Sequence, residues 1–104
     1  MRYQYQLVLQ WRAASIEDYD AIIELEDLLS TKVSGESTVD GHDAGQGEMN
    51  IFILTNSPRE LFRDLRPLLA DNDRLTNVRA GFRDLEATDF EALWPPGAAK
   101  FDVA

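Results

Sequence analysis

The sequence predicts a single α+β domain of the ferredoxin-like class, in which four strands and two helices follow one another as βαββαβ. Three observations lead to this prediction: apolar residues alternate along the N-terminal segment, two later segments have apolar residues at helical spacing, and a glycine-rich run separates two further strands. A chain of 104 residues suits one hydrophobic core. We therefore expect an antiparallel four-stranded sheet with both helices on one face and an extended C-terminal tail.

The first strand and the first helix have the clearest patterns. Apolar residues at every second position from Tyr3 to Trp11 predict a strand with one apolar face. Ser15 and Asp18 have the spacing of a capping pair at a helix start. The helix that follows has an apolar face made of Ile16, Tyr19, Ile22, Ile23, Leu25, Leu28 and Leu29. The opposite face is acidic and comprises Glu17, Asp20, Glu24 and Asp27.

The middle of the chain predicts a hairpin. The polar stretch from Val33 to Val39 fits an edge strand. The run from Asp40 to Gly47 contains three glycines and fits a loop. The segment from Glu48 to Thr55 has four consecutive apolar residues, which indicates a central strand with both faces covered.

The second helix begins at a Ser-Pro-x-Glu run at residues 57–60, which places proline at the first helical position. Apolar residues at helical spacing continue to Leu69. Pro67 lies inside this pattern, where it removes a backbone hydrogen bond and clashes with the preceding turn. We therefore expect the helix to kink or end near Arg66.

The last part of the chain predicts a fourth strand and a tail. Residues from Val78 to Arg83 alternate as a strand, and the residues beyond have no clear period. We therefore divide the chain into a domain over residues 1–86 and a C-terminal tail over residues 87–104. The tail contains aromatic residues, so we expect it to pack on the domain or on a second subunit.

The predicted sheet leaves one face without helices. The third strand exposes an apolar pair there, either Phe52 and Leu54 or Ile51 and Ile53. Monomers seldom leave a large apolar patch exposed. We expect this face to be covered by a second copy of the chain, as in a homodimer, or by the tail through Phe90, Leu93 and Trp94.

Composition and charge exclude several classes of function. The net charge of −9 disfavours nucleic acid and anionic membrane surfaces as partners. Residues 13–58 hold ten acidic residues and one basic residue, so this half would steer a cationic protein partner. There is no cysteine, which excludes disulfides and thiolate metal sites and suits a cytoplasmic protein. No apolar run resembles a signal peptide or a membrane span.

The segment from Asp40 to Glu48 is where candidate catalytic residues converge. His42 is the sole histidine, Asp43 follows it, and Glu48 is close in sequence. Imidazole beside carboxylate can transfer protons or bind a divalent metal. The alternative is a hairpin loop in which the aspartates bond their own backbone. A single histidine makes a poor zinc site, so we predict no metal and no cofactor.

Two segments, Val39 to Asn56 and Phe90 to Gly97, resemble a family of short, uncharacterised bacterial proteins. The resemblance covers most of the chain, and its core is Gly-His-Asp-x-Gly-x-Gly-Glu-x-Asn-Ile-Phe-Ile. It implies a stand-alone bacterial domain and no catalytic residue. It makes the matching positions candidates for a ligand- or partner-binding site: Gly41, His42, Asp43, Gly45, Gly47, Glu48 and Asn50.

Together these patterns predict a non-enzymatic interaction domain. It would bind a protein partner with its acidic side, as an inhibitor or immunity-type protein does, or associate with itself through the open sheet face. The partner-binding residues would include Asp40 and the acidic positions of the first helix. The alternative hypothesis is a small enzyme or a ligand- or metal-binding protein that uses the Asp40–Glu48 segment, with His42 as base or ligand.

Overall fold

A computed structural model describes residues 3–33, 35, 37–98 and 100–103. Ser34 and Glu36, which belong to the predicted edge strand, lie outside the described residues. The strands are β1 (Tyr5–Arg12), β2 (Ser37–Gly45), β3 (Glu48–Thr55), β4 (Arg79–Asp84) and β5 (Glu91–Trp94). The helices are α1 (Ile16–Lys32), α2 (Pro58–Ala70) and a short 3₁₀-helix (Asp73–Leu75). Neither α-helix of the described chain is long and apolar enough to cross a membrane.

The sheet has five strands in the order β2-β3-β1-β4-β5. The prediction of a four-stranded ferredoxin-like sheet is therefore wrong. The segment Glu91–Trp94, which the sequence places in an irregular tail, pairs antiparallel with β4 and makes β4 an interior strand. Four residues are too few to show the alternation by which a strand is recognised in a sequence.

The core lies between the sheet and the two helices. Leu7, Leu9 and Trp11 point from β1 into this core, as the alternation predicts. The helices contribute Ala21, Ile22, Leu25, Leu29, Phe62, Leu65 and Leu69. The apolar face of α1 is narrower than predicted, because the side chains of Ile16 and Leu28 are 76% and 40% exposed.

The helix ends follow the capping signals in part. Ser15 Oγ accepts a hydrogen bond from the Asp18 backbone N–H, and α1 begins at Ile16, directly after Ser15. Ser57 makes no side-chain capping bond, although α2 begins at Pro58 as predicted. Of the two outcomes predicted near Arg66, a kink or an end, the end is wrong, because α2 continues through Pro67 to Ala70. Burial of Leu69 in this last turn compensates for the hydrogen bond that the proline removes.

The β2–β3 hairpin is longer than predicted. Most of the predicted Asp40–Gly47 loop is strand, and the turn is confined to Gln46 and Gly47. Both turn residues have positive φ, 53° and 76°, the geometry of a two-residue turn that matches the twist of a hairpin. The register shifts between Val39 and Gly41, so Asp40 forms a bulge.

The sheet face opposite the helices is covered in part by residues 100–103, which we call the C-terminal segment. Phe101 is 3% exposed and lies directly on Gly81, where a Cβ atom would overlap the phenyl ring. The buried Gln10 donates through Nε2 to the Asp102 carbonyl oxygen at 2.9 Å. Phe90 packs against Phe101 with ring centroids 5.6 Å apart. The side chain of Val8, on the same face, is fully buried.

The predicted covering residues are therefore only partly right. Leu93 and Trp94 pack against the core on the helix side of the sheet instead. Phe52 and Leu54 are the β3 pair on the face opposite the helices, since Ile51 and Ile53 belong to the core. Both are only half-buried.

We predict that Phe101→Ala lowers the free energy of unfolding by about 3 kcal/mol, because the ring is buried against Gly81 and leaves a cavity when removed. Urea denaturation measures this change. Leu85→Ala is the control and changes stability by no more than about 0.5 kcal/mol, since Leu85 is 36% exposed. Equal, small effects of both substitutions would show that the C-terminal segment does not pack on the sheet.

Candidate functional site

His42 lies on the helix side of the sheet. It pairs with Ile51 of β3, whose side chain is in the core, and successive residues of a strand alternate between faces. His42 Nδ1 is 2.8 Å from Glu26 Oε1 of α1. The side chains of His42 and Glu26 are 40% and 15% exposed. This contact ties the hairpin to the first helix.

Asp43 and Glu48 lie on the opposite face from His42. Asp43 pairs with Asn50, and Glu48 pairs with Arg12 at the end of β1. The alternation of side chains along β2 and β3 therefore separates His42 from both carboxylates. The structure does not bring the three candidate catalytic residues together. Among the described residues, no three His, Asp or Glu side chains converge as metal ligands would.

Asn50 belongs to a buried hydrogen-bond network on the face opposite the helices. Its Oδ1 accepts a bond of 3.0 Å from Gln10 Nε2, and Asn50 is 3% exposed. Arg79 Nη1 reaches Gln10 Oε1 at 3.5 Å, and Arg79 Nη2 donates to the Lys100 carbonyl oxygen at 3.2 Å. This network satisfies buried amides and holds the C-terminal segment, so Asn50 has a structural role.

The glycines of the candidate segment shape the backbone of the hairpin. Gly47 is one of the two turn residues, and Gly45 closes the hairpin opposite Glu48. Gly41 follows the bulge and has φ of 113°, which a residue with a side chain rarely adopts. Asp40, at the bulge itself, is exposed.

The acidic positions predicted on α1 are exposed and form the acidic helix face. We use this name for Glu17, Asp20, Glu24 and Asp27. None of them forms an ion pair with a residue that the structure describes. Lys32, in the last turn, is the only basic residue of α1. This face therefore presents negative charge that no described basic residue neutralises.

Asp18 differs from its acidic neighbours because it has partners. The Ala14 backbone N–H donates to Asp18 Oδ2 at 3.0 Å, and Arg74 Nη1 donates to Oδ1 at 2.8 Å. The hydrogen bond from Ala14 and then the Arg74 guanidinium lower the pKa of the Asp18 carboxyl below its ordinary value. This residue joins α1 to the 3₁₀-helix.

Sequence reasoning missed two features. Glu26 is the partner of His42, but the two residues are 16 positions apart and no local spacing connects them. A groove between α1 and α2 is the second feature, and it brings Glu24 and Leu28 close to Leu68 and Asp71. The partial exposure of Leu28 depends on how the two helices pack against each other, which no pattern in the sequence shows.

No protein-family model, curated protein or solved structure matches this chain. The resemblance to short bacterial proteins therefore stays a prediction.

We predict that Asp18→Asn reduces the fall in the free energy of unfolding as the pH is lowered. The folded pKa of Asp18 is lowered, so its contribution is complete above the ordinary value of 3.8 and is lost as pH falls through the lower folded value. Unfolding followed by circular dichroism between about pH 2 and pH 6 measures this change. Asp89→Asn is the control, because Asp89 is exposed and forms no hydrogen bond or ion pair with a described residue, and we expect it to change the profile less than Asp18→Asn does. A parallel fall in the wild type and in Asp18→Asn would contradict the prediction.

We predict a coupling free energy of about 0.2–1 kcal/mol between His42 and Glu26, the range of partly exposed pairs. A double-mutant cycle with His42→Ala, Glu26→Ala and the double variant measures it. His42→Ala alone therefore leaves the fold intact. Unfolding of the protein by His42→Ala would show instead that this contact holds the hairpin in place.

Proposed function

We propose that this protein is a non-enzymatic cytoplasmic interaction domain that binds a basic protein through the acidic helix face. One observation supports this proposal most directly: four carboxylates line one exposed face of α1 and have no ionic partner among the described residues. A partner that supplies Lys or Arg side chains would neutralise them.

The spacing of these carboxylates has an energetic cost in the unbound protein. Glu17 and Asp20 are three residues apart, Asp20 and Glu24 four, and Glu24 and Asp27 three. Side chains at these spacings are neighbours on a helix, and each like-charge pair destabilises it by about 0.2–0.5 kcal/mol. A basic partner would reduce this repulsion. Binding would therefore be favoured both by the loss of repulsion between the carboxylates and by their attraction to the partner's basic side chains.

The two helices differ in their balance of charge. Helix α2 contains three arginines, Arg59, Arg63 and Arg66, and two acidic residues, whereas α1 contains six acidic residues and one lysine. Negative charge is therefore denser along α1 than along α2, which would orient an approaching cationic protein.

The enzyme hypothesis has less support from the geometry. His42 contacts Glu26 but stands on the opposite face from Asp43 and Glu48. Self-association through the open face also has less support, because Phe101 covers Gly81 there. Binding of a separate protein through α1 is the function that the arrangement favours.

The test uses two variants with equal loss of negative charge. The α1-neutral variant has Glu17→Gln, Asp20→Asn, Glu24→Gln and Asp27→Asn. The matched control has Glu60→Gln, Asp64→Asn, Glu86→Gln and Asp89→Asn, all at exposed positions away from α1. Each immobilised protein is incubated with lysate of the organism that encodes it, and retained proteins are identified by mass spectrometry. Binding of the purified partner is then measured by calorimetry.

We expect a basic protein that the wild type and the matched control retain and the α1-neutral variant loses. Its binding should also be lost at about 1 M salt, where the Debye length is about 3 Å. The α1-neutral variant should be as stable as the wild type or more stable by up to about 1.5 kcal/mol, because three like-charge pairs are removed. Equal retention by both variants, or equal loss, would overturn the proposal.

A further inference from the structure

The groove between α1 and α2 has an apolar floor. Leu25 and Leu28 of α1 face Leu68 of α2, and Leu75 of the 3₁₀-helix closes one end. The groove has a volume of 310 Å³. Leu28 is 40% exposed although it belongs to the apolar pattern of its helix, so its side chain is available for contact.

The rim of the same groove is acidic. Glu24 stands on the α1 side and Asp71, at the C-terminal end of α2, on the other side. Both residues are exposed, and neither forms an ion pair with a described residue. Arg74, the basic residue of the 3₁₀-helix, is already bound to Asp18. The groove therefore combines apolar surface with uncompensated negative charge.

We propose that this groove receives an amphipathic basic helix of the partner protein. Apolar side chains of that helix would contact Leu28 and Leu68, and flanking Lys or Arg side chains would pair with Glu24 and Asp71. A helix laid in an apolar groove is a common recognition mode, with anchors three or four residues apart. The inference rests on the proposed function and specifies the chemistry of its partner.

Volume and charge favour this occupant over others. Ligand pockets run from about 300 to 1,000 Å³, so this groove is at the small end and takes side chains more readily than a cofactor. The groove on the other side of α2 is larger, 430 Å³, but is lined by Arg63 and Arg66, with the Arg66 guanidinium 3.9 Å from the Trp94 ring centroid. That groove would repel the same basic helix.

The test uses two synthetic peptides of Leu and Lys, each about 18 residues long, or five helical turns. In the first peptide the leucines lie on one helix face, and in the second the same residues are permuted so that no apolar face forms. Fluorescence anisotropy measures the affinity of each for the full chain. We expect the amphipathic peptide to bind at least about tenfold more tightly than the permuted peptide.

Two charge-matched variants then separate the groove from the general charge. Leu28→Glu adds a negative charge inside the groove, and Ile16→Glu adds the same charge to α1 at an exposed position outside its lining. We expect Leu28→Glu to weaken binding of the amphipathic peptide by about tenfold, because an apolar contact is replaced by a charge. Ile16→Glu should bind it as the wild type does, or more tightly.

Leu28→Ala is a second groove variant, which keeps the helix and removes only apolar contact. We expect it to weaken binding by about fivefold, with an unfolding curve close to that of the wild type. Equal affinity of Leu28→Glu and Ile16→Glu, or equal binding of the two peptides by the wild type, would overturn the groove inference. The proposed function is tested separately, since the α1-neutral variant would still lose the natural partner in that case.

Discussion

Burial of both faces of β1 is the constraint on which the rest of the structure depends. Five consecutive residues of this strand, Leu7 to Trp11, are at most 1% exposed. Both helices pack on the same face of the sheet, so the other face needs a different cover. The C-terminal segment supplies it through Phe101, and Gly81 is the position on β4 that leaves room for the ring. Phe101 is therefore part of the buried interior of this domain.

The sequence predicts the elements that have local signals. It does not predict those whose structure depends on contacts with segments distant in the chain. Alternation identifies β1, and the Ser15–Asp18 pair marks the start of α1, because both signals lie within a few residues. The fifth strand and the position of Phe101 depend on pairing with β4, which no local pattern shows. Pro67 misleads for a similar reason, since tertiary burial of Leu69 outweighs the local cost.

The same distinction between local signals and distant contacts applies to the candidate site. The exposure of the acidic helix face could be predicted, because helical periodicity separates charged from apolar positions within one element. The cluster around His42 could not, since proximity in sequence says nothing about the face on which each side chain of a strand lies. Once Asp40–Gly45 is strand, alternation separates His42 from Asp43 and brings it to Glu26 of α1. A loop would have allowed the cluster that the composition indicates.

The bulge at Asp40 has a consequence for how this domain meets other chains. It interrupts β2, an edge strand whose free backbone groups could otherwise template pairing with a foreign strand. Exposed Asp40 and Asp43 add charge to this edge, and the other edge, β5, is only four residues long. Both edge strands of the sheet therefore disfavour pairing with a strand of another chain, and with it ordered aggregation.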